Sequence, residues 1–351
     1  MAASRPIQKD VAVRAGVTQA TVSMALYNHP SIPAETCKRI QAIAAEMGYQ
    51  PDPYLSGLSA YRKRNRPAQF QAPLAWLSNY PPGTTWRHYP AFAGYFEGAF
   101  ARAAELGYLV EEHELQAKGM TSRRLERILA ARNISGVLMA PQPDPGVHLN
   151  FNFDRFSAIT FGYSLVEPQL HLVTLHQFRS MEAAFRKLLS LGYQRPGLAL
   201  AVESDQRADR NWSAAFWSEQ RELPARNRIP SLLVQPLEER LFLRWLEKHK
   251  PDVVLTINAG VHEWLRKAGI RVPEDLGLAL LTVPDGGKYY SGIWENPRII
   301  GQRAVEFLID MIHRTEVGIP QVPVCELISG TWVDGKTTRA VKPATSGSPK
   351  W

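Results

Sequence analysis

Short apolar runs alternate with helix-length amphipathic stretches from Pro73 almost to the end of the chain, and this alternation limits the folds open to it. PLAWLSN, YLVEE, GVLMA, SAITF, HLVTL, GLALA, DVVLTI and LALLTV read as strands. Between them lie stretches with helical spacing, at residues 90–106, 177–191, 210–221, 238–248 and 298–313. In the first of these Phe92, Phe96, Ala99, Phe100 and Ala103 share one face, and Gly107 follows it. Strands that alternate with helices predict an α/β fold, a parallel sheet with helices on both faces. A length of 351 residues predicts two such units rather than one.

The composition narrows the class further. Two cysteines, Cys37 and Cys325, are too few for a disulfide framework, so a reducing compartment is expected. The N-terminal MAASRPIQKD has no apolar core of a secretion signal, and no apolar run approaches a membrane span, so a cytoplasmic protein without a membrane partner is expected. The net charge of +8 is unevenly spread. Residues 1–66 hold nine bases and four acids, whereas the other 285 residues carry only a net +3. A small basic head on a nearly balanced body suggests a module for a polyanion.

The head reads as three short helices. The first runs from about Gln8 to Ala15, with Ile7, Val11, Ala12 and Ala15 on one face and Gly16 as its stop. Thr18 caps the second, QATVSMAL, which buries Val22 and Leu26. Pro33 suits the first turn of the third, whose apolar stripe is Ile40, Ile43, Ala44 and Met47. Two short helices joined by the tight AGVT turn make a helix-turn-helix. The exposed side of its second helix is small and polar, at Gln19, Ala20, Thr21 and Ser23, which would let it approach base edges in a major groove. The competing reading is a surface helical hairpin with a polar face.

The run IQKDVAVRAGVTQATVSMALYNHPSIPAETCKRIQAIAAEMGYQPDPYLSGL resembles the DNA-binding head of the LacI/GalR family of bacterial transcriptional regulators, through KDVA, AGVT, TVS, Asn28 near the end of helix two, and GYxP after helix three. The likeness continues more weakly through GYLVEE, ISGVLMAP, LLSLGYQRPGLAL, RVPEDLGL and PRIIGQRAVEFL. It implies a homodimer that reads a near-palindromic double-stranded operator, with Thr18, Gln19, Ala20, Thr21, Ser23, Met24 and Asn28 on the DNA. It also implies a hinge helix at residues 53–61 that enters the minor groove, where Leu58 matches the family's wedge leucine. Two positions depart from the family. Met24 stands where members often carry Arg or His, and Leu55-Ser56 replaces a common Ala-Arg, so that Leu55 adds apolar contact in the groove or meets the partner's hinge helix.

For the body the resemblance implies a core like the type I periplasmic binding proteins, two parallel α/β subdomains joined by three crossovers. The expected layout is a head at 1–52, a hinge and linker at 53–72, and a core at 73–339. Within the core the N-subdomain takes 73–168 and 293–322 and the C-subdomain 169–292 and 323–339. Crossovers are placed near 165–172, 285–295 and 321–324, and the polar tail at 340–351 is expected to be disordered.

A ligand in such a core lies in the cleft, outside the carboxyl ends of the strands. The candidates for it are Trp86, His88, Tyr89 and Phe92 after strand one, facing Asn211, Trp212, Asn258, Asp285 and Trp294. Aromatic side chains stack on sugar faces and polar ones fix hydroxyls, so a carbohydrate or related metabolite is the expected effector. Each aromatic has an equally ready role in closing the cleft or filling the core. The family's polar anchors are partly replaced: Trp212 stands at its arginine position, Asn258-Ala259 at its Asn-Asp, and Val283-Pro284-Asp285 at its Phe-Asp-Asp. A site without those partners should not hold the same ligand.

No cofactor and no enzymatic activity are expected. GTWVDGKT at 330–337 matches the phosphate-loop pattern, but no helix-length stretch follows the lysine to cradle phosphates. The expected function is therefore a DNA-binding regulator, a repressor, controlled by a small molecule. The alternatives are a regulator without an effector, a solute-binding protein and, from the phosphate-loop match, a nucleotide hydrolase.

Overall fold

The computed structural model describes residues 6–26, 32–49, 72–284 and 286–341. The head comprises α1 (Gln8–Ala15), α2 (Gln19–Leu26) and α3 (Ala34–Glu46). Its core is Val11, Ala12, Ala15, Val22, Ala25, Cys37, Ile40 and Ala44. Two positions differ from the helical pattern. Ile7 precedes the first helical turn and is exposed, and Ala25 rather than Leu26 takes the buried place beside Val22. So small a core needs polar ties as well. Arg39 donates to the Ala15 carbonyl (3.0 Å) and Gln41 to the Ala25 carbonyl (2.9 Å), so α3 satisfies the open C-terminal ends of both other helices.

The body has two six-stranded sheets. The first runs β13–β7–β5–β3–β1–β2, from β1 (Ala72–Ser78), β2 (Tyr108–Glu114), β3 (Gly136–Met139), β5 (Ser157–Phe161), β7 (His171–Leu175) and β13 (Cys325–Ile328), all parallel. The second runs β14–β12–β11–β10–β8–β9, from β8 (Pro196–Ala201), β9 (Leu232–Val234), β10 (Val253–Thr256), β11 (Gly277–Leu280), β12 (Ser291–Trp294) and β14 (Thr331–Val333). There only the edge strand β14 is antiparallel. The short strands β4 (Val147–His148) and β6 (Leu165–Glu167) form a separate ribbon.

Strand pleating sends alternate side chains to opposite faces, and both faces are covered. Leu74 and Trp76 face one core layer while Ala75 and Leu77 face another, with Leu125 and Leu129 of α5 (Ser122–Ala131). In the second sheet Leu198 and Leu255 meet Phe185 and Phe216, whereas Ala199 and Val254 meet Phe242 and Leu265.

The chain passes between the sheets three times: from β7 into α6 (Gln177–Ser190), from β12 into α11 (Pro297–Arg314), and from β13 to β14. Each passage lies a few residues beyond its expected place. HLVTL pairs with the first sheet, SGIW with the second and CELI with the first, so the crossings fall at 175–177, 294–297 and 328–331. The apolar runs marked these strands without marking which sheet takes them.

Helix α4 (Pro90–Glu105) packs on α11 through glycines. A Cβ on Gly98 would lie 2.0 Å from the Arg298 carbonyl oxygen, and one on Gly301 2.0 Å from that of Tyr95. The two backbones therefore touch where only hydrogen fits. A methyl here forces the helices apart, so Gly301→Ala should cost roughly 1–3 kcal/mol. Urea denaturation of the full chain checks this, and an unchanged midpoint would show that the helices part freely.

Candidate functional site

Two surfaces carry the residues singled out by the sequence. On the head, Thr18 precedes α2 and its hydroxyl accepts the Thr21 backbone N–H (3.1 Å) and bonds the Thr21 hydroxyl (2.8 Å). This cap fixes the first turn of α2 against the AGVT turn, where Gly16 takes a left-handed backbone (φ 65°). Thr18, Gln19 and Ala20 are exposed, and Thr21, Ser23 and Met24 are half-buried on the flanks. Gln19 lies 3.3 Å from Gln8 across the turn, an exposed amide pair free to exchange partners. Asn28, Leu55 and Leu58, with the hinge at 53–61, lie outside the described residues.

The second surface is a cavity of about 460 Å³ between the two sheets. Its walls follow the carboxyl ends of strands, as the topology requires. Tyr89, Phe92 and Tyr95 follow β1, Pro141 follows β3, and Gly162 and Ser164 follow β5. Opposite them, Glu203, Arg207 and Trp212 follow β8, Ile257 and Ala259 follow β10, and Thr282 to Pro284 follow β11. The crossings contribute Thr174 and Gln177 at one point and Trp294, Glu295 and Pro297 at another.

Of the expected cleft residues, Tyr89, Phe92, Trp212 and Trp294 line this cavity. Trp86 does not. It is buried against Trp76 and Phe96, with ring centroids 5.2 and 5.0 Å apart, and carries the Arg87 guanidinium on its face at 4.2 Å. His88 is exposed at the end of a short 3₁₀ turn. Asn211 turns back to the Ala208 carbonyl (2.9 Å) at the start of α8 (Asn211–Gln220), and Asn258 accepts the Gly260 N–H (2.8 Å). Both are spent on local turns, which asparagine side chains do readily. Asp285 lies outside the described residues.

Several lining residues carry no local signature in the sequence. Arg207 sits on the short helix α7 (Val202–Arg207), whose VESDQR has no apolar spacing to reveal it. Its guanidinium donates across the cleft to the Gln142 carbonyl (2.7 Å) and to the Pro143 carbonyl, and it pairs with Glu203 at 3.6 Å. A basic group thus enters the cleft five residues before Trp212, not in the expected register.

Glu295 lies at the second crossing and is 9% exposed. The Tyr95 hydroxyl donates to its Oε2 at 3.3 Å. Burial pushes the carboxyl up to about 7, with the tyrosine bond pulling weakly the other way. Burial beside that carboxylate also holds the Tyr95 hydroxyl well above its ordinary value. Tyr95 in turn stacks on Phe161, centroids 5.4 Å apart and planes at 17°. The signal in the sequence was an acid wedged between an aromatic and Asn-Pro in WENP, directly after a strand.

The phosphate-loop match is a structural splice. Thr337 is fully buried, its hydroxyl donating to the Leu278 carbonyl (2.7 Å) and accepting the Ser291 N–H (2.9 Å). Gly335 packs against the Tyr290 backbone, where a Cβ would lie 2.4 Å away. Among the described residues no helix follows Lys336, and no helix is long and apolar enough to cross a membrane.

Comparison with known proteins matches both parts. The family described as bacterial regulatory proteins, lacI family, matches residues 8–52, and a periplasmic binding protein-like domain matches residues 185–338. The HTH-type transcriptional repressor CytR of Escherichia coli K12 is 28% identical over 198 residues, 56% of this chain and 53% of that protein. Its Shigella flexneri counterpart matches equally. The chain spans about half the length of these curated relatives. In fold it is similar to the Lac repressor dimer bound to operator and the anti-inducer ONPF (TM-score 0.54, 17% identity, 96% of this chain and 100% of that one). It is similar also to a complex of the regulator CelR with cellobiose (TM-score 0.54, 17% identity, 95% and 100%).

The buried carboxyl makes stability depend on pH. Its folded value of about 7 is above the ordinary 4.5, so the folded state holds the proton more tightly than the unfolded chain. Stability is full below about 4.5 and falls as the pH rises through 7. Glu295→Gln should therefore gain on the wild type by on the order of 3 kcal/mol across that window, with a constant difference above it. Denaturation midpoints between pH 5 and pH 8 measure this, and a difference independent of pH would place the carboxyl in water.

Proposed function

The chain belongs to the lacI family of bacterial regulatory proteins, and from that premise we propose that it is a cytoplasmic transcriptional repressor controlled by a small molecule. The observation that carries the proposal is the presence in one chain of a capped reading helix and a cleft at the strand ends. Two heads of a homodimer would read a near-palindromic operator, each laying α2 in a major groove. Thr18, Gln19, Ala20, Thr21, Ser23 and Met24 face the DNA, with Asn28 near its edge. Small side chains on this face allow close approach, and Gln19 has the donor and acceptor needed to pair with adenine. Leu58 would enter the minor groove between base steps, and Leu55 would add apolar contact there or meet the partner's hinge helix.

The effector occupies the cleft between the sheets, against Tyr89, Phe92, Trp212 and Trp294. Both lobes and two of the three crossings line it, so a ligand there meets different surroundings in each arrangement of the lobes. That difference is what a ligand needs to shift an equilibrium. Arg207 already ties the lobes at the cleft mouth. The aromatic walls suit the apolar faces of a sugar or another ring, and the class of effector turns on the polar groups among them.

Selection of duplexes from a random pool by the full chain tests the DNA-reading role. The expected product is a sequence with two related, inverted half-sites. A recovered pool indistinguishable from the input would overturn the proposal. On the selected duplex, Gln19→Ala should weaken binding by roughly 10- to 100-fold, the equivalent of one lost base contact, while affinity for random duplex stays unchanged. Titration by fluorescence anisotropy at fixed salt separates the two.

A further inference from the structure

The polar groups of the cleft are unevenly matched. Among the described residues, Glu295 has Tyr95 as its one hydrogen-bond partner, and no arginine or lysine acts on it. Gln177, at the other crossing in the cavity wall, has its side-chain oxygen buried with no partner, while its amide nitrogen reaches Thr174 at 3.4 Å. The Gln177 oxygen is thus an acceptor without a donor, and the Glu295 carboxyl has no partner of opposite charge. The remaining charged groups in the lining, Glu203 and Arg207, form a pair, and Arg207 spends its donors on the Gln142 and Pro143 carbonyls. The lining tyrosines, Tyr89 and Tyr95, bring no positive charge.

A buried acceptor without a donor costs free energy, and a buried carboxylate costs more. The wall also carries Phe92, Phe161, Trp212 and Trp294, whose ring faces attract cations, beside the hydroxyls of Ser164, Thr174, Ser204 and Thr282. A neutral sugar could use the wall's hydroxyls but would bring no charge to balance Glu295. An ammonium group brings only donors together with the charge that balances Glu295.

We propose that the effector is an organic amine whose ammonium group sits against Glu295 and whose apolar part lies among the cleft aromatics. This rests on the cleft being the effector site. Glu295 stands at one of the crossings between the lobes, so an amine held there touches a segment that joins them.

The test titrates the full chain by calorimetry and thermal shift with phenethylamine, benzylamine and cyclohexylamine. The neutral probes are 2-phenylethanol, cellobiose and cytidine. The expected result is binding by amines at least tenfold tighter than by 2-phenylethanol, lost in Glu295→Gln. At pH 6, amine binding to the wild type should release a proton, read from the heats in two buffers of different ionisation enthalpy. That release depends on Glu295 itself and separates its role from a change in folding. No binding by any amine, or amine binding that Glu295→Gln retains, overturns the inference. A neutral sugar or nucleoside that binds wild type and variant alike, where amines do not, overturns it and leaves the effector cleft intact. Amines that bind through Glu295 but never change affinity for the selected duplex would uphold the cation site and overturn the regulatory reading.

Discussion

The contact on which the body of the molecule depends is the glycine-mediated crossing of α4 and α11. These helices are about 200 residues apart in sequence, and α11 begins only after the chain has returned from the second sheet. Gly98 and Gly301 let the backbones touch at distances that no side chain permits. The same approach sets Tyr95 on α4 beside Glu295 just ahead of α11, with Gly94 against Pro297 continuing the contact. One steric fit thus holds the returning segment on the first sheet, fixes where the second crossing lies and presents a carboxyl to the cleft. Of the salt bridges between the same helices, Arg298 with Glu97 is largely exposed and adds little, while Arg102 with Glu306 is mostly buried and supports the crossing from its far end.

Local patterns were legible in the sequence, and long-range ones were not. The caps and stripes of the head act within a few residues, so Thr18, Gly16 and the positions around Ile40 could be read directly. Alternating apolar runs marked the strands of both sheets for the same reason. The crossings shifted because strand 171–175 and strand 325–328 join the first sheet by pairing with each other, a choice no local pattern encodes. In the cleft, aromatic residues just after strands were found at Tyr89, Phe92, Trp212 and Trp294, whereas Trp86 had the same signature and filled the core. Glu295 and Arg207 are not legible locally, because their roles come from what surrounds them, a hydrophobic wall in one case and two backbone carbonyls in the other.

The cleft also couples two kinds of group. Gln177 and Glu295 stand on the segments that connect the lobes, and Arg207 spans the mouth. Under the proposed function, a ligand in the cleft, or strain at Arg207, would act on the same relative placement of the lobes. If the heads of a dimer are held at a spacing set by that motion, DNA and ligand are linked, and linkage is reciprocal. DNA bound at the head must then alter the cleft as surely as a ligand in the cleft alters the head.

That reciprocity gives the most direct measurement. Amide hydrogen exchange would be followed across the full chain with and without a duplex that it selects. The account predicts slowed exchange at residues 18–24 together with changed exchange in the cleft segments 203–212 and 292–297. Protection confined to the head, with both cleft segments unchanged, would contradict it.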